Sequence, residues 1–436
     1  MLNEQRAELT QLSLQRTKLR IWVRSRLWAQ VIIAMVLGLC AGFLLGPGGG
    51  LVPAATAKTL GAWLALPGKL FLALIAIVLV PLVFSSIVGG LAGAPSNEAM
   101  RKVGIRLGLF ILTTTAAAAW IGVTLTQMFQ PGRGISLPPA AMDPAPADIE
   151  SFDFKMLPDL VVGVLPSNPA ASVIEGDLLA IVILALLAGV ASMQIQPAKA
   201  APFLAVLDSV MSLSMTIVKW AMLLTPLAVF GFMAQLMMQI GLDSLLGLAS
   251  YVATVLLGLA LLFAVYGVLL QVLGRTSFKA FLGAAGETLL LAFSTSSSSA
   301  VMPSTIQAAR RLNVPNDVAS LVVPVGATMN MAGTALYQSV AILFLAQMSD
   351  VALGSAEIFL LVGTLVVSSI GAPGTPGVSI AILASVAAGF GIPAEGLVII
   401  LGVDRLLDMC RTVVNVTGDL TATTLLRGSI EHTAQP

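Results

Sequence analysis

Between residues 397 and 426 runs a stretch long enough to cross a bilayer, yet it carries Asp404, Arg405, Asp408, Arg411, Asn415 and Asp419. A charge at the centre of a membrane helix costs about 2.5–3.5 kcal/mol on insertion scales. Several on one helix therefore need a purpose. At about 100° per residue, positions 404, 408, 411, 415 and 419 share an arc of about 80°. Such a helix turns one polar stripe toward a protein interior or a water-filled cavity. Intramembrane ionisable groups of this kind mark a substrate or ion pathway.

The remainder of the chain reads as a protein dissolved in lipid. Of its 436 residues 57% are hydrophobic and 10% charged, against about 25% charged in soluble domains. The fold class is all-α and polytopic. The formal net charge of +1 points to neither nucleic acid nor an acidic partner. Cys40 and Cys410 lie in apolar stretches and carry no disulfide signal. Residues 1–28 are polar and basic, through Arg6, Arg16, Lys18, Arg20, Arg24 and Arg26. They read as a cytoplasmic N-terminal segment rather than a secretory signal, whose charged start and apolar core are shorter. Residues 428–436 read as a C-terminal tail.

Apolar runs near 29–47, 63–93, 107–129, 176–195, 204–238, 243–274, 316–347 and 394–427 give eight crossings. Segments 278–308 and 353–391 are apolar but broken in the middle. With the N-terminus inside, Arg101, Lys102, Arg106, Lys199, Arg275, Lys279, Arg310, Arg311 and Arg427 fall on the cytoplasmic side. Asp143, Asp148, Glu150, Asp153, Asp243, Asp350 and Glu357 fall outside. This obeys the positive-inside rule, provided that 278–308 and 353–391 each enter and leave on one side. Both are therefore expected to be re-entrant hairpins, the first from the cytoplasm and the second from outside. Residues 278–347 and 353–427 then form an inverted repeat, an arrangement that places transporter sites near the bilayer midplane.

The first hairpin breaks at Thr295-Ser296-Ser297-Ser298-Ser299. A flexible linker would sit in water, whereas this run is flanked by apolar residues. Unwound backbone at membrane depth survives where it is buried or lines a cavity, and its free N–H groups suit a carboxylate. In the seventh crossing, Gly326, Asn330 and Gly333 favour an interrupted helix whose released carbonyls and Asn330 amide oxygen could hold a hard cation; close packing through small residues is the other reading. The second hairpin breaks at Gly371-Ala372-Pro373-Gly374-Thr375-Pro376-Gly377, a tip with exposed backbone that suits a gate. In the last span Arg411 offers a planar fork to a carboxylate. Asp408 suits an ammonium group, Asn415 a second carboxylate and Asp419 a cation. A small zwitterion with an extra carboxylate satisfies this set; an internal Asp408–Arg411 ion pair is the structural alternative.

These residues resemble the dicarboxylate/amino acid:cation symporter family, the glutamate and aspartate transporters, over roughly 29–430. The likeness rests on Ser297-Ser298-Ser299, on Asn330-Met331-x-Gly333-Thr334, and on the run from Asp408 through Arg411, Thr412, Asn415 and Gly418 to Asp419. Residues 164–169 resemble the family's fourth-helix region. The resemblance implies a homotrimer in the bacterial inner membrane with cytoplasmic termini. An outer scaffold (helices 1, 2, 4 and 5) would hold inner transport parts (107–129 and 243–427) that move as elevators. It implies that Arg411 and Thr334 hold the substrate's side-chain carboxylate, Asp408 its ammonium, and Asn415 and Ser298 its α-carboxylate. Ser297, Thr375 and Thr412 complete the substrate set. One sodium would sit on Asp419 with carbonyls of Gly326, Asn330 and Asn415, another on carbonyls of Thr328, Ser369, Ile370 and Ala372. No cofactor is implied besides the coupling ion, sodium or in its place a proton.

Three departures from the family pattern stand out. Ala332 occupies a position that usually carries Asp, part of a further sodium site. Of that site's remaining ligands, Thr114 and Thr115 are kept and a Tyr is replaced by Ile111. The Arg that relatives place at position 296 or 409 is absent, and Arg405 stands one turn before Asp408. The second hairpin's tip also differs from the usual wording. Expected substrates are aspartate and glutamate, with C4-dicarboxylates or neutral amino acids as alternatives. An anion channel is a rival of another class. An intramembrane serine hydrolase lacks a base, since the one histidine, His432, lies in the tail.

Overall fold

The computed structural model describes residues 27–46, 51–92, 98–133, 178–240, 243–370, 378–393 and 396–428, with the single positions 49, 168 and 172. Among them all regular structure is helical. In chain order the helices are α1 (Leu27–Leu45), α2 (Ala54–Leu64), α3 (Leu66–Ala92), α4 (Glu98–Phe129), α5 (Leu178–Gln194), α6 (Pro197–Ile240), α7 (Asp243–Val272), α8 (Phe278–Thr295), α9 (Met302–Arg311), α10 (Asn316–Met329), α11 (Ala332–Met348), α12 (Ser355–Ile370), α13 (Val378–Gly389) and α14 (Leu397–Leu425). The chain is thus an all-α, multi-pass membrane protein. The expected N-terminal segment up to residue 26, the acidic loop within 134–167, the second hairpin's tip with Ala372 and Thr375, and the tail from 429 lie outside the described residues.

Among the described residues, five stretches are long and apolar enough to span: Leu66–Gly90, Lys102–Phe129, Pro197–Met238, Gly247–Val272 and Asn316–Met348. Three further expected crossings fail that test for identifiable reasons. Ala29–Leu45 and Ala180–Gln194 are apolar but shorter. α14 is 29 residues long, and its own charges interrupt the apolar run.

Helix ends depart from the hydropathy boundaries. The charged segment with Arg101, Lys102 and Arg106, expected as a loop, is the beginning of α4, which runs for 32 residues. Lys199, also expected in a loop, lies in the first turn of α6, a single helix of 44 residues. Lys, Arg and Glu are good helix formers, so a charge ends contact with hydrocarbon without ending the helix. At 1.5 Å per residue α6 is about 66 Å long, about twice a hydrocarbon core. The apolar run at 63–93 is divided at Ala65 between α2 and α3. Pro67 sits in the first turn of α3, where its missing N–H has no helical partner to lose.

Breaks occur inside the apolar segments themselves. α8 gives way to α9 across a turn in which Ser296 is left-handed (φ 51, ψ 34). The two helices then lie side by side, joined by Thr288 and Ser304 hydroxyls 2.7 Å apart and by Arg311 Nη1 at 3.3 Å from Glu287 Oε2. α10 stops at Met329 and α11 starts at Ala332; between them Asn330 (φ −90, ψ 78) and Met331 (φ −110, ψ 41) leave helical geometry. α12 and α13 flank the undescribed second tip.

Two groupings organise the packing. α6 lies along α1, α2 and α3, and α3 along α5. α14 is enclosed by α6, α7, α8, α10 and α11, while α4 packs on α7, α11 and α12. Large apolar side chains such as Ile77, Leu223, Leu290 and Phe359 face outward, as a hydrocarbon solvent permits. α11 is the reverse case: apart from Gln347, every residue from Ala332 to Met348 is buried. It holds the α10–α11 break against α14 at the centre of the second group.

Candidate functional site

The α14 stripe and the neighbouring Arg405 are completely enclosed: Asp404, Arg405, Asp408, Arg411, Asn415 and Asp419 are none more than 6% exposed. At one end Asp408 sits between two guanidiniums. Arg411 Nη2 donates to Asp408 Oδ1 at 2.5 Å and to Ser379 Oγ at 2.6 Å. Arg405 Nη1 stands 3.5 Å from Asp408 Oδ2. The Arg411 guanidinium also lies over the Tyr337 ring, 4.5 Å from its centroid, a cation–π contact favoured away from water. Asp408 and Arg411 share one helix, so their pair fastens no helices together. Ser379, in the first turn of α13, provides that link. Thr412, expected to meet substrate, gives its hydroxyl hydrogen to the Asp408 carbonyl at 2.8 Å.

One turn further on, Asn415 meets the start of α11. Gly333 N donates to Asn415 Oδ1 at 2.8 Å, and Asn415 Nδ2 donates to Thr334 Oγ1 at 3.2 Å. The first N–H groups of a helix have no partner within it, so Asn415 caps α11 from another helix. Gly333 makes this approach possible: a Cβ there would lie 2.9 Å from Asn415 Oδ1 and 3.1 Å from the Arg411 carbonyl oxygen. Ser298 joins the same region by donating to the Ala327 carbonyl at 2.8 Å. The expectation of free amides in the serine turn is corrected at several positions. Ser296 N donates to Ala292 O and so closes the last turn of α8, while Ser297 N donates to Thr295 Oγ1 and Ala300 N to Ser297 Oγ, because short hydroxyl side chains compete for nearby backbone groups.

The far end of the stripe is rich in oxygen. Asn330 Nδ2 donates to Asp419 Oδ1 at 2.9 Å, which aims the amide. Asn330 Oδ1 is buried without a hydrogen-bond partner, and so is the Tyr266 hydroxyl of α7. Gly418 lets these groups close in, since a Cβ would come within 2.7 Å of Asn330 Nδ2 and 2.8 Å of the Tyr266 hydroxyl. Hard cations favour oxygen ligands, and the donor set fits one. The Gly326 carbonyl is not released by the interruption, contrary to expectation. It accepts Asn330 N at 2.8 Å, because Asn330 still closes the last turn of α10. Thr328 returns its hydroxyl to its own helix at Val325 O, 3.0 Å away.

Ser369 and Ile370 end α12. Ser369 Oγ donates to Gln338 Oε1 at 3.4 Å and Gln338 Nε2 donates to Ser379 O at 3.3 Å. Gln338 thus joins the two stems of the second broken segment, and with them Ser379. Thr114 donates to Phe110 O at 2.7 Å, while Thr115 is buried with its hydroxyl unpartnered. Ala332 and Ile111 are both buried but belong to different apolar clusters, Ile111 with Leu270 and Phe281, Ala332 with Leu336 and Tyr337. The structure therefore brings together Ser298, Asn330, Thr334, Asp408, Arg411, Asn415 and Asp419.

Ser379, Gln338, Tyr337 and Tyr266 escaped the sequence reading. One signal could have found the tyrosines. The chain has three, and Tyr251, Tyr266 and Tyr337 are all fully buried within apolar stretches with hydroxyls lacking a partner. Such buried hydroxyls normally find one.

Residues 27–429 match the sodium:dicarboxylate symporter family. A proton/sodium-glutamate symport protein of Bacillus subtilis (strain 168) is 33% identical over 408 residues, covering 93% of this chain and 92% of the relative. A proton/glutamate-aspartate symporter of Escherichia coli (strain K12) is 32% identical, covering 90% of each. A C4-dicarboxylate transport protein of Rhodospirillum rubrum is 29% identical, covering 91% of this chain and 87% of the relative. These relatives are transporters rather than enzymes. A helical membrane protein with a buried, charge-paired stripe facing broken helices, matched along nearly its whole length, belongs to the sodium:dicarboxylate symporter family.

Proposed function

We propose that this protein is a secondary symporter that takes up aspartate and glutamate together with a cation by alternating access. One observation carries the reading: Arg411 and Asp408 are buried side by side, with Asn415 and Thr334 one turn away. A guanidinium, a carboxylate and an amide in that order complement a side-chain carboxylate, an ammonium and an α-carboxylate. Both charges of the pair are out of water, so a ligand that fails to replace their mutual contact leaves an unpaired charge. The glutamate and aspartate named for two relatives support this choice. A second reading, transport of C4-dicarboxylates, is favoured by Arg405 beside Asp408 and by the name of the Rhodospirillum relative.

Sodium as the coupling ion is supported by Asp419 and the aimed, unpartnered oxygen of Asn330, with the proton as the alternative. The packing of α6 along α1, α2 and α3 on one side and against α14 on the other supports a scaffold that borders a transport part and allows the two to move relative to one another. We assign α8–α9 and α12–α13 as re-entrant hairpins, the assembly as a homotrimer and the location as the bacterial inner membrane with both termini cytoplasmic.

The test is uptake of labelled aspartate, glutamate, succinate and serine into vesicles, with and without sodium or proton gradients. Gradient-driven accumulation of the acidic amino acids is expected. Equal flux of all four, independent of any gradient, would refute symport and favour a channel.

Fewer sodium ions should be coupled here than in relatives that carry the acidic residue at position 332. Ala332 contributes no carboxylate and Ile111 no hydroxyl, and a cation held without a balancing anion at that depth is poorly stabilised. The slope of log aspartate affinity against log sodium concentration counts the ions bound with substrate. It should be shallower than in such relatives and steepen in the double variant Ala332→Asp, Ile111→Tyr. A wild-type slope as steep as theirs would show that other ligands, Tyr266 among them, hold the ion.

A further inference from the structure

Arg405, beside the stripe, is the one buried cation of α14 to which the proposed binding of acidic amino acids gives no task. It is 6% exposed, and its Nε and Nη1 have no hydrogen-bond partner. Its side chain borders a cavity of about 30 Å³ between α3, α6, α13 and α14, lined by Phe71, Thr225, Phe232, Ile380, Asp404 and Asp408 among others. The cavity has room for water but not for a substrate. Most of its wall is apolar, so Arg405 finds its counter-charge in the aspartates of its own helix. Its Nη1 is 3.5 Å from Asp408 Oδ2, an oxygen that accepts no hydrogen bond. Asp408 Oδ1 is taken by Arg411. Each carboxylate oxygen of Asp408 therefore faces a different guanidinium.

The consequence depends on what a ligand brings. Arg411 Nη1 has no partner and can turn to an incoming carboxylate. A dicarboxylate without an amine then draws Arg411 toward itself and weakens its hold on Asp408. Without a second cation, Asp408 would be left as a buried, unpaired charge, which is strongly unfavourable. Arg405 prevents this. Two aspartates, Asp404 and Asp408, are matched in number by two arginines, Arg405 and Arg411, so that with all four ionised the cluster is neutral before any substrate arrives. With Arg405 neutralised the cluster would carry an excess negative charge that only an ammonium-bearing ligand corrects.

We infer that Arg405 is a built-in substitute for the substrate's ammonium group: from Asp408 Oδ2 it lowers the penalty for dicarboxylates that lack an amine, and so sets how strictly the site demands one. This rests on the reading of Asp408 and Arg411 as the substrate site.

The test measures equilibrium dissociation constants of aspartate and succinate on the purified full chain, at fixed sodium and pH, for wild type, Arg405→Met, Arg405→Gln, Arg405→Lys and Asp408→Ser. Wild type is expected to bind succinate measurably, though less tightly than aspartate. In the Met and Gln variants the succinate-to-aspartate ratio of dissociation constants should rise about tenfold or more, because specificity is a difference of two affinities. That rise should come through weaker succinate binding. Lys keeps a cation and should stay within about threefold of the wild-type ratio. A purely structural role for Arg405 would weaken both ligands together and leave the ratio unmoved. A ratio within about twofold of wild type in the neutral variants overturns the inference. So does loss of aspartate binding in both of them, or absence of succinate binding by wild type at millimolar concentration. Asp408→Ser separates the two levels of the argument. If it leaves the ratio unchanged, Asp408 does not read the amine and the site assignment itself fails. If it shifts the ratio while the neutral Arg405 variants do not, only the role of Arg405 is lost.

Discussion

Arg411→Cys is expected to remove aspartate and glutamate binding. Truncating one partner of a buried charge pair costs about 3–5 kcal/mol, which is roughly two to four orders of magnitude in affinity. Here the loss falls on two contacts at once. The substrate's side-chain carboxylate would have no guanidinium to meet, and Ser379 Oγ would lose the donor that ties α13 to α14 at 2.6 Å. Arg411→Lys should recover part of the affinity and not all of it, because an ammonium cannot present a planar fork or cover the Tyr337 ring in the same way. Binding isotherms for aspartate and for serine on the same preparations give the result. Neutral substrates should be retained or gained as acidic ones are lost. Aspartate binding by Arg411→Cys with unchanged affinity would place the substrate carboxylate elsewhere.

Asp408→Ser is expected to abolish aspartate binding while leaving succinate binding intact or stronger. In a site sheltered from water, Asp408 repels a ligand that offers only carboxylates and gains a charge-assisted hydrogen bond from one that offers an ammonium. Removing it leaves Arg405 and Arg411 as two cations facing two ligand carboxylates. The aspartate ammonium would then be buried against positive charge with no acceptor. Competition of succinate and aspartate against one labelled ligand, in wild type and variant, measures both effects. Equal affinities of the wild type for the two would show that Asp408 does not select for the amine.

The primary sequence by itself determined the solvent, the helical class and the residues of the central stripe. Hydrocarbon leaves a chain few ways to satisfy its backbone, so apolar runs of spanning length had to be helices. Helical periodicity then placed Asp404, Asp408, Arg411, Asn415 and Asp419 on one face. Two interruptions were legible for the same reason: a serine run and an asparagine with glycines each break an apolar pattern in a solvent that tolerates no unexplained break. Hydropathy misplaced the ends of α4 and α6, since it records contact with lipid rather than hydrogen bonding along the helix.

What the tertiary structure alone decided is which groups meet. Position 405 lies off the stripe by helical angle, yet the length of the arginine side chain brings its guanidinium to Asp408 Oδ2. Ser379 and Gln338 carry no motif, and become site residues only because α13 brings Ser379 to Arg411 while Gln338 of α11 bonds to Ser379 and to Ser369 of α12. Tyr266 comes beside Asn330 because Gly418 has no Cβ to keep α7 and α14 apart. These partners are chosen by distances of a few ångströms between helices far apart in sequence. Periodicity fixes which face of a helix is polar; the packing of the other helices fixes what that face touches.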